Sequence, residues 1–523
     1  MNGADSLLTT LTNCGVDVCF TNPGTSEMHF VAALDQQDQM RSILGLFEGV
    51  VTGAADGYGR MRGMPACTLL HLGPGLANGL ANLHNARRAN TPIVNIVGEH
   101  ATYHRHLDAP LTSNIHGFAD PVSGWIRTID SADGVSATGV AAVQASLAAP
   151  GQIATLIAPA DTAWTDTEVL ADTPSLTRTP QGFDETAIEQ AAAAIRSGAR
   201  VAFLLNGTAL NEAALADASR IAQSGASGEA GKVALFGDTF IARIARGVGR
   251  VDLPRLPYFA EQAIEALGEL DYLIVAGTKA PVSFFAYPGI PSELTPAGAK
   301  LITLAGPEAD AEGALRELAS LLNADSVSPL LSEPPAAALA RLPQGELNPE
   351  AIARSLASLL PEQAIVVNEA ATSGFAIPAL TAGAAQHDWL DLTGGAIGMG
   401  IPCATGAAVA CPDRQVIGLQ ADGSAMYTIQ GLWTQARENL DVTTILFNNR
   451  KYAILQVEFM RVGANPGPKA MDMLDLSRPD LNFVEMAASM GVAGERVTTA
   501  EQFNRALAAG LATKGPYLIE AMI

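Results

Sequence analysis

Residues 420–452 read QADGSAMYTIQGLWTQARENLDVTTILFNNRKY. An apolar run at 416–419 leads into this stretch, and a second lies within it at 442–447. The first run ends in Ala421-Asp422-Gly423-Ser424, the second in Asn448-Asn449. Between them, residues 427–438 put Leu432, Trp433 and Ala436 on one face of a predicted helix. The order is strand, turn, helix, strand, turn. That is the rhythm of an α/β sheet, which binds ligands at the polar carboxyl ends of its strands.

The two strand ends offer hard oxygen donors. Asp422 brings a carboxylate, Asn449 an amide oxygen, and Lys451 a backbone carbonyl. Magnesium takes about six oxygens and shares them with phosphates and water. Gly423 lets a phosphate approach the backbone, and Ser424 at a helix start favours an anion. Asp-Gly and Asn-Asn are each ordinary turn formers alone. Together, with 24 residues between Gly423 and Asn448, they predict a metal-bound diphosphate.

Asp-Gly, a spacer of this length and Asn-Asn resemble the diphosphate motif of thiamine diphosphate (ThDP) enzymes. The wording ADGSAMYTIQGLW is most similar to benzoylformate decarboxylases and acetolactate synthases of that family. The family usually has Gly at the position of Ala421. The resemblance covers essentially the whole chain. It is strongest over 421–449, good over 20–75 and weakest in the middle. It implies three doubly wound parallel-sheet α/β domains: pyrimidine-binding, central and diphosphate-binding. It also implies ThDP as cofactor, with Mg2+ on Asp422, Asn449 and the Lys451 carbonyl, and a small 2-oxo acid as substrate. Gly423 and Ser424 would meet the diphosphate. Tyr427, Tyr452, Ala453 and Ile454 would line the diphosphate and pyrimidine. In NEAATSG (368–374), Ala371 and Thr372 match the loop that helps hold the diphosphate. In LTGGAIGMGIP (392–402), the Gly395 carbonyl would accept from the 4′-amino group, and Ile397 would force the bent cofactor shape.

The rest of the chain fits three domains. Over residues 1–165, apolar runs at 18–20, 43–47, 67–70, 93–97 and 153–158 alternate with helical patterns at 50–61 and 77–88. A polar stretch at 161–182 reads as a linker. Over 184–325, helices at 185–197, 212–224 and 310–323 alternate with strands at 201–205, 232–236, 271–276 and 300–304. Residues 326–345, with Pro329, Pro334, Pro335 and Pro343, form the second linker. The third domain spans 346–523.

Two loops of the first domain carry candidate chemistry. FTNPGTSE (20–27) reads as a turn and helix cap after a strand. By the resemblance it faces the substrate, with Thr25 or Ser26 supplying a hydroxyl. Glu48 ends an apolar run ahead of a helix, where a carboxylate favours the helix N-terminus. By the resemblance it is the activating glutamate, which bonds N1′ of the aminopyrimidine from an apolar pocket. His71 precedes a Gly-Pro-Gly turn and matches a histidine of benzoylformate decarboxylases. Those enzymes carry a second catalytic histidine in the region matching 284–288, where this chain has Phe284-Phe285-Ala286-Tyr287-Pro288. His100, His104, His106 and His116 match no zinc spacing and read as solvated or substrate-channel groups.

Bulk properties narrow the partners. A net charge of −22 argues against nucleic acid or an anionic membrane. No apolar run approaches the ~20 residues of a membrane span. Five cysteines without ligand spacing, and no signal peptide at the start, predict reduced thiols and a cytoplasmic protein. The middle domain shows no glycine-rich phosphate cradle at 206–212 or 276–289, so no FAD is expected. By the resemblance, Glu48 and the metal motif meet across subunits, giving a homodimer or homotetramer with interface active sites. Two readings compete on the same fold: a flavin-containing 2-oxo acid oxidase, and a non-catalytic regulatory relative. A nicotinamide dehydrogenase lacks its fingerprint here.

Overall fold

The computed structural model describes residues 1–225, 233–334 and 341–523. In the N-terminal part, six short strands pair in parallel. They are β1 Val18–Asn22, β2 Arg41–Leu44, β3 Ala66–Leu70, β4 Ile93–Glu99, β5 Trp125–Thr128 and β6 Ile153–Pro159, in the order β2-β1-β3-β4-β6-β5. β4 and β6 are buried along their whole length, which explains their continuous rather than alternating hydrophobicity.

The central part contributes β7 Val201–Leu205, β8 Val233–Gly237, β9 Ile244–Arg246, β10 Tyr272–Ala276 and β11 Lys300–Ala305. Four of these form a parallel sheet in the order β11-β10-β7-β8. β9 leaves it. The C-terminal part supplies β12 Ala364–Glu369, β13 His387–Asp391, β14 Val416–Ala421, β15 Val442–Asn448, β16 Ala493–Val497 and β17 Tyr517–Met522. Its seven-stranded sheet runs β16-β17-β15-β14-β12-β13-β9, and only β9 is antiparallel. The central part therefore covers an edge that would otherwise expose unpaired backbone. Among the described residues no helix is long and apolar enough to cross a membrane.

Several sequence expectations shift. The single helix expected over 427–438 is two, Asp422–Thr428 and Gly431–Arg437, so Asp422 itself opens a helix. The run at 43–47 forms its strand at Arg41–Leu44. The linker at 161–182 begins inside a short helix, Ala160–Trp164. Lys232 and Pro335 lie outside the described residues.

The first and third sheets are joined by helix Glu48–Arg62 against helix Gly400–Ala410. Glycine permits the closeness. A methyl group at Gly57 would overlap the Cys403 carbonyl, and one at Gly406 would overlap the Ala54 carbonyl. A buried ion pair locks the same seam, with Arg60 Nη2 2.6 Å from Asp56. Arg60 also donates to the Asp391 carbonyl at 2.7 Å and to Thr393 Oγ1 at 3.0 Å. The apolar packing and the paired charges both fix where the loop after β13 begins.

Candidate active site

The N-terminal half of the site sits at the carboxyl ends of β1 and β3. After β1 the chain turns into a 3-10 helix, Thr25–Glu27, and after β3 it enters helix Leu72–Arg88. Leu72 adopts φ 48°, a left-handed conformation uncommon for a branched side chain, directly after His71. The His71 ring lies against Gly24, where any side chain would overlap it. Its Nδ1 donates to Glu27 Oε2 at 2.8 Å. Glu27 is fully buried. It also accepts from the Gly24 amide at 2.9 Å and from the Ser26 hydroxyl. With the proton fixed on Nδ1, Nε2 is the free ring nitrogen. Ser26 Oγ lies 3.2 Å from Nδ1. The fold thus brings Ser26 and His71 together through Glu27. Thr25 is exposed and shares their cleft.

That cleft, about 350 Å³, is lined by Thr25, Ser26, His71, His100, Tyr103 and His104 among others. The rings of His100 and His104 are 5.3 Å apart. His116 instead pairs with Thr128 at 2.9 Å. Among the described residues no three His, Cys, Asp or Glu side chains converge as a metal cage would require.

Glu48 is the first residue of helix Glu48–Arg62 and is half-buried. Its Oε2 accepts from Asn78 Nδ2 at 3.0 Å. Gly75 separates it from His71: a methyl group there would lie 3.3 Å from Glu48 Oε1 and 3.4 Å from His71 Cβ. The carboxylate and the imidazole therefore flank one glycine.

The C-terminal half sits at the ends of β12, β14 and β15. Asp422 is buried, and burial raises its carboxyl above the usual carboxylate range, against the pull of backbone bonds. It accepts from Gly423 N at 2.8 Å and Arg450 N at 2.6 Å. Asn449 Oδ1 accepts from Lys451 N at 3.1 Å. The turn is tight: Arg450 has φ 56°. The backbone bonds that pair it with 474–476 use the Arg450 carbonyl and the Tyr452 amide, not the Lys451 carbonyl. A cleft of about 470 Å³ is lined by Asn449, Arg450, Lys451, Gln456, Asp475 and Ser477. Asn448 points elsewhere and donates to buried Glu520 at 2.7 Å.

This donor set suits a hard cation carrying a diphosphate. One carboxylate and one amide oxygen leave coordination positions for phosphate and water, as magnesium prefers. Gly423 packs directly against the Tyr452 ring, which a Cβ there would overlap. Ser424 is buried beside it, and Tyr427 is exposed. Ala453 and Ile454 open helix Ala453–Arg461, half-buried. Ala371, at φ 49°, and Thr372 lie in the turn Ala371–Gly374 after β12. Non-glycine residues with positive φ thus occur in the loops after β3, β12 and β15, at Leu72, Ala371 and Arg450.

The loop bearing Gly395 and Ile397 is held from both sides. Gly395 and Gly398 have φ 73° and 99°. Asn82 Nδ2 donates to Gly49 O at 2.8 Å and Gly398 O at 3.2 Å, tying this loop to the helix of Glu48. Fully buried Glu369 accepts from the amides of Gly398, Met399 and Gly400 at 2.7–3.0 Å and from Gln420 at 2.7 Å. Its burial raises the carboxyl above the ordinary range. On the open side, a methyl group at Gly395 would lie 2.8 Å from the Phe284 ring. A phenyl group thus stands next to this loop, in an aromatic cluster with Phe240, Tyr258, Phe285 and Phe375.

Sequence reading missed three residues of this construction. Glu27 orients His71, Asn78 holds Glu48, and Glu369 fixes the glycine loop. A sequence signal existed only for Glu369, which follows the apolar run 364–367 after one Asn; Glu27 lies in the polar turn after β1.

Residues 1–123 match the thiamine pyrophosphate enzyme N-terminal TPP-binding domain, and residues 380–521 match the C-terminal TPP-binding domain. The chain is 52% identical to a Mycobacterium tuberculosis protein provisionally called acetolactate synthase large subunit IlvX, over 100% of this chain and 99% of that protein. It is 29% identical to benzoylformate decarboxylase of Pseudomonas aeruginosa, over 97% and 96% of the two chains. A solved structure of a ThDP-dependent 4-hydroxybenzoylformate decarboxylase from Rhodococcus jostii superposes with a TM-score of 0.84 at 25% identity, covering 99% of this chain and 98% of that one. Matches to both cofactor-binding domains, and an end-to-end relative at this identity, make the chain a member of the thiamine diphosphate-dependent enzyme family.

Proposed function

We propose that this protein is a magnesium-dependent ThDP enzyme that decarboxylates a 2-oxo acid, or transfers the acyl unit left after CO₂ loss to a second carbonyl. The observation that carries the reading is Glu48 and the Glu27–His71 pair flanking Gly75, in a chain that also bears the Asp422/Asn449 strand ends. Bound ThDP supplies a nucleophilic carbon and an electron sink. Glu48 would bond the aminopyrimidine N1′. Asp422, Asn449 and the Lys451 carbonyl would hold Mg2+, with Gly423, Ser424, Ala371 and Thr372 at the diphosphate. Tyr427, Tyr452, Ala453 and Ile454 would line the diphosphate and pyrimidine. Gly395 would take the 4′-amino group, and Ile397 would support the cofactor from below.

The protein's own groups do the proton work. His71 presents Nε2 to the cleft while Glu27 keeps Nδ1 protonated, so one nitrogen exchanges protons with the substrate and the other keeps the ring aimed. Ser26 and Thr25 offer hydroxyls to the substrate carboxylate in the same cleft. By the family resemblance Glu48 of one chain meets the metal motif of another, so we assign the complete site to the interface of two chains, a homodimer or a tetramer of such dimers. Four of the five cysteines are buried free thiols, which suits a cytoplasmic enzyme. The test is a panel of 2-oxo acids with Mg-ThDP-loaded protein, reading CO₂ and products by mass spectrometry. Release of CO₂ with an aldehyde or acyloin supports the reading; no turnover of any member, with ThDP bound, overturns it.

A further inference from the structure

Helix Ala453–Arg461 begins three residues after Arg450 and has no fully buried residue. Tyr452, just before it, packs its ring on Gly423 beside Asp422. Seven of its nine residues are half-buried, and a helix packed only this far depends more on any specific anchor that holds its position. The anchor lies at its far end, on the central part of the chain. Arg461 Nη1 and Nη2 donate to Glu261 Oε1 and Oε2 at 2.6 and 2.7 Å. The guanidinium also sits 4.3 Å from the centroid of Phe259 and 4.5 Å from that of Tyr287. The Tyr287 hydroxyl donates to Glu458 Oε2 at 2.8 Å, one turn earlier on the same helix. Phe259 and Glu261 stand at the start of helix Ala260–Leu267. Arg461 is therefore gripped by a bidentate carboxylate and two aromatic faces, geometry a lysine cannot reproduce.

We propose that Arg461 is a positioning residue: its clamp on Phe259, Glu261 and Tyr287 holds helix Ala453–Arg461 closed over the metal turn and so governs release of the cofactor. The proposal rests on the ThDP reading for the identity of what is retained, whereas the clamp is a property of the chain alone. Closure through this helix links the central part, which bears none of the proposed metal ligands, to the diphosphate end of the site.

Hydrogen–deuterium exchange on the cofactor-free protein tests the clamp. In Arg461→Met, amides of 453–461 should exchange faster than in the parent, with helix Gly400–Ala410 unchanged. Arg461→Lys should fall between the two. Release of ThDP from the Mg-loaded protein should be about tenfold faster in Arg461→Met, the scale of one stacked, bidentate pair. Glu261→Gln alters the same clamp from an exposed position and serves if Arg461→Met does not fold. Unchanged exchange at 453–461 overturns the clamp, and faster exchange with unchanged release overturns its role in cofactor retention. A parent that binds no Mg-ThDP overturns the functional reading and the retention role together, and the exchange result still decides the clamp.

Discussion

Glu48 and Glu27 stand on neighbouring loops of one sheet, and their surroundings set different tasks. Glu27 is fully buried and takes three bonds, one from His71. Glu48 is half-buried and takes one side-chain bond, from Asn78, which leaves oxygen capacity for a ligand. Glu48→Gln should keep Mg-ThDP affinity, because the diphosphate anchor lies on another sheet. It should lose about 10²–10⁴-fold in activity, the usual worth of general acid–base assistance. Exchange of the thiazolium-carbon proton with deuterium on the bound cofactor is the direct check, and equal rates in variant and parent would exclude Glu48. Glu27→Gln should slow turnover by about 10²-fold while cofactor affinity stays constant, since a neutral amide, whose NH2 can turn toward the ring, replaces the acceptor-only carboxylate that holds the Nδ1 proton of His71. Asp422→Ala should abolish ThDP retention in calorimetry, because it removes the one charged side chain of the metal set. Asp422, Asn449, Glu48 and His71 were legible as residues at strand ends. Glu27, Asn78 and Glu369 were not, because each acts by touching a residue remote in sequence.

Two helices bring the sheets together, and glycine sets how closely they approach. Gly57 faces the Cys403 carbonyl, and Gly406 faces the Ala54 carbonyl. Either position changed to Ala must part the backbones, at about 1–3 kcal/mol for overpacking. Both variants should melt at a lower temperature than the parent. Gly182→Ala, where an added methyl meets open space, should melt with the parent, and equal melting of all four proteins would dismiss the close approach. At this scale the sequence was legible wherever strands are apolar runs, as in β3, β4, β6, β7 and β15. It failed where burial depends on pairing instead of composition. β13 reads HDWLD, yet all five residues are buried. Asp388 is paired with Arg243 and Arg414, and Asp391 with Arg255, so the charges enter the sheet only because distant arginines accompany them. β9 has three residues and exists as a strand only because it borders β13. The split at 429–430 was hidden because the same apolar face continues through both helices.

β13 is also where the whole molecule converges. Its Asp391 receives Arg255 from the central part at the carboxylate and Arg60 from the first part at the carbonyl. The glycine loop with Gly395 follows directly, so the seam that joins the three parts also holds the site. His387 opens this strand, fully buried, with Nδ1 donating to the Ala385 carbonyl at 2.8 Å. Nε2 has no partner. Burial is the main cause that lowers its pKa from 6.5 to about 4; Arg246 and Arg250 lower it further, against Asp388 and the Ala385 bond. The sign follows from linkage: a base whose folded value is depressed keeps its full stability above the unfolded value, and loses it as pH falls from 6.5 toward about 4. In that window the unfolded chain binds a proton that the folded seam refuses, a difference of about 3 kcal/mol at the lower end. His387→Asn keeps a donor for Ala385 and cannot be protonated. The variant should therefore lose less melting temperature than the parent between pH 6.5 and 4.5, although it starts lower at pH 7.5 because a smaller side chain leaves space behind. Calorimetry across that range decides it. Parallel decline of both proteins would mean that acid loosens the molecule elsewhere, through the carboxylates paired with arginine along β13, and not through His387.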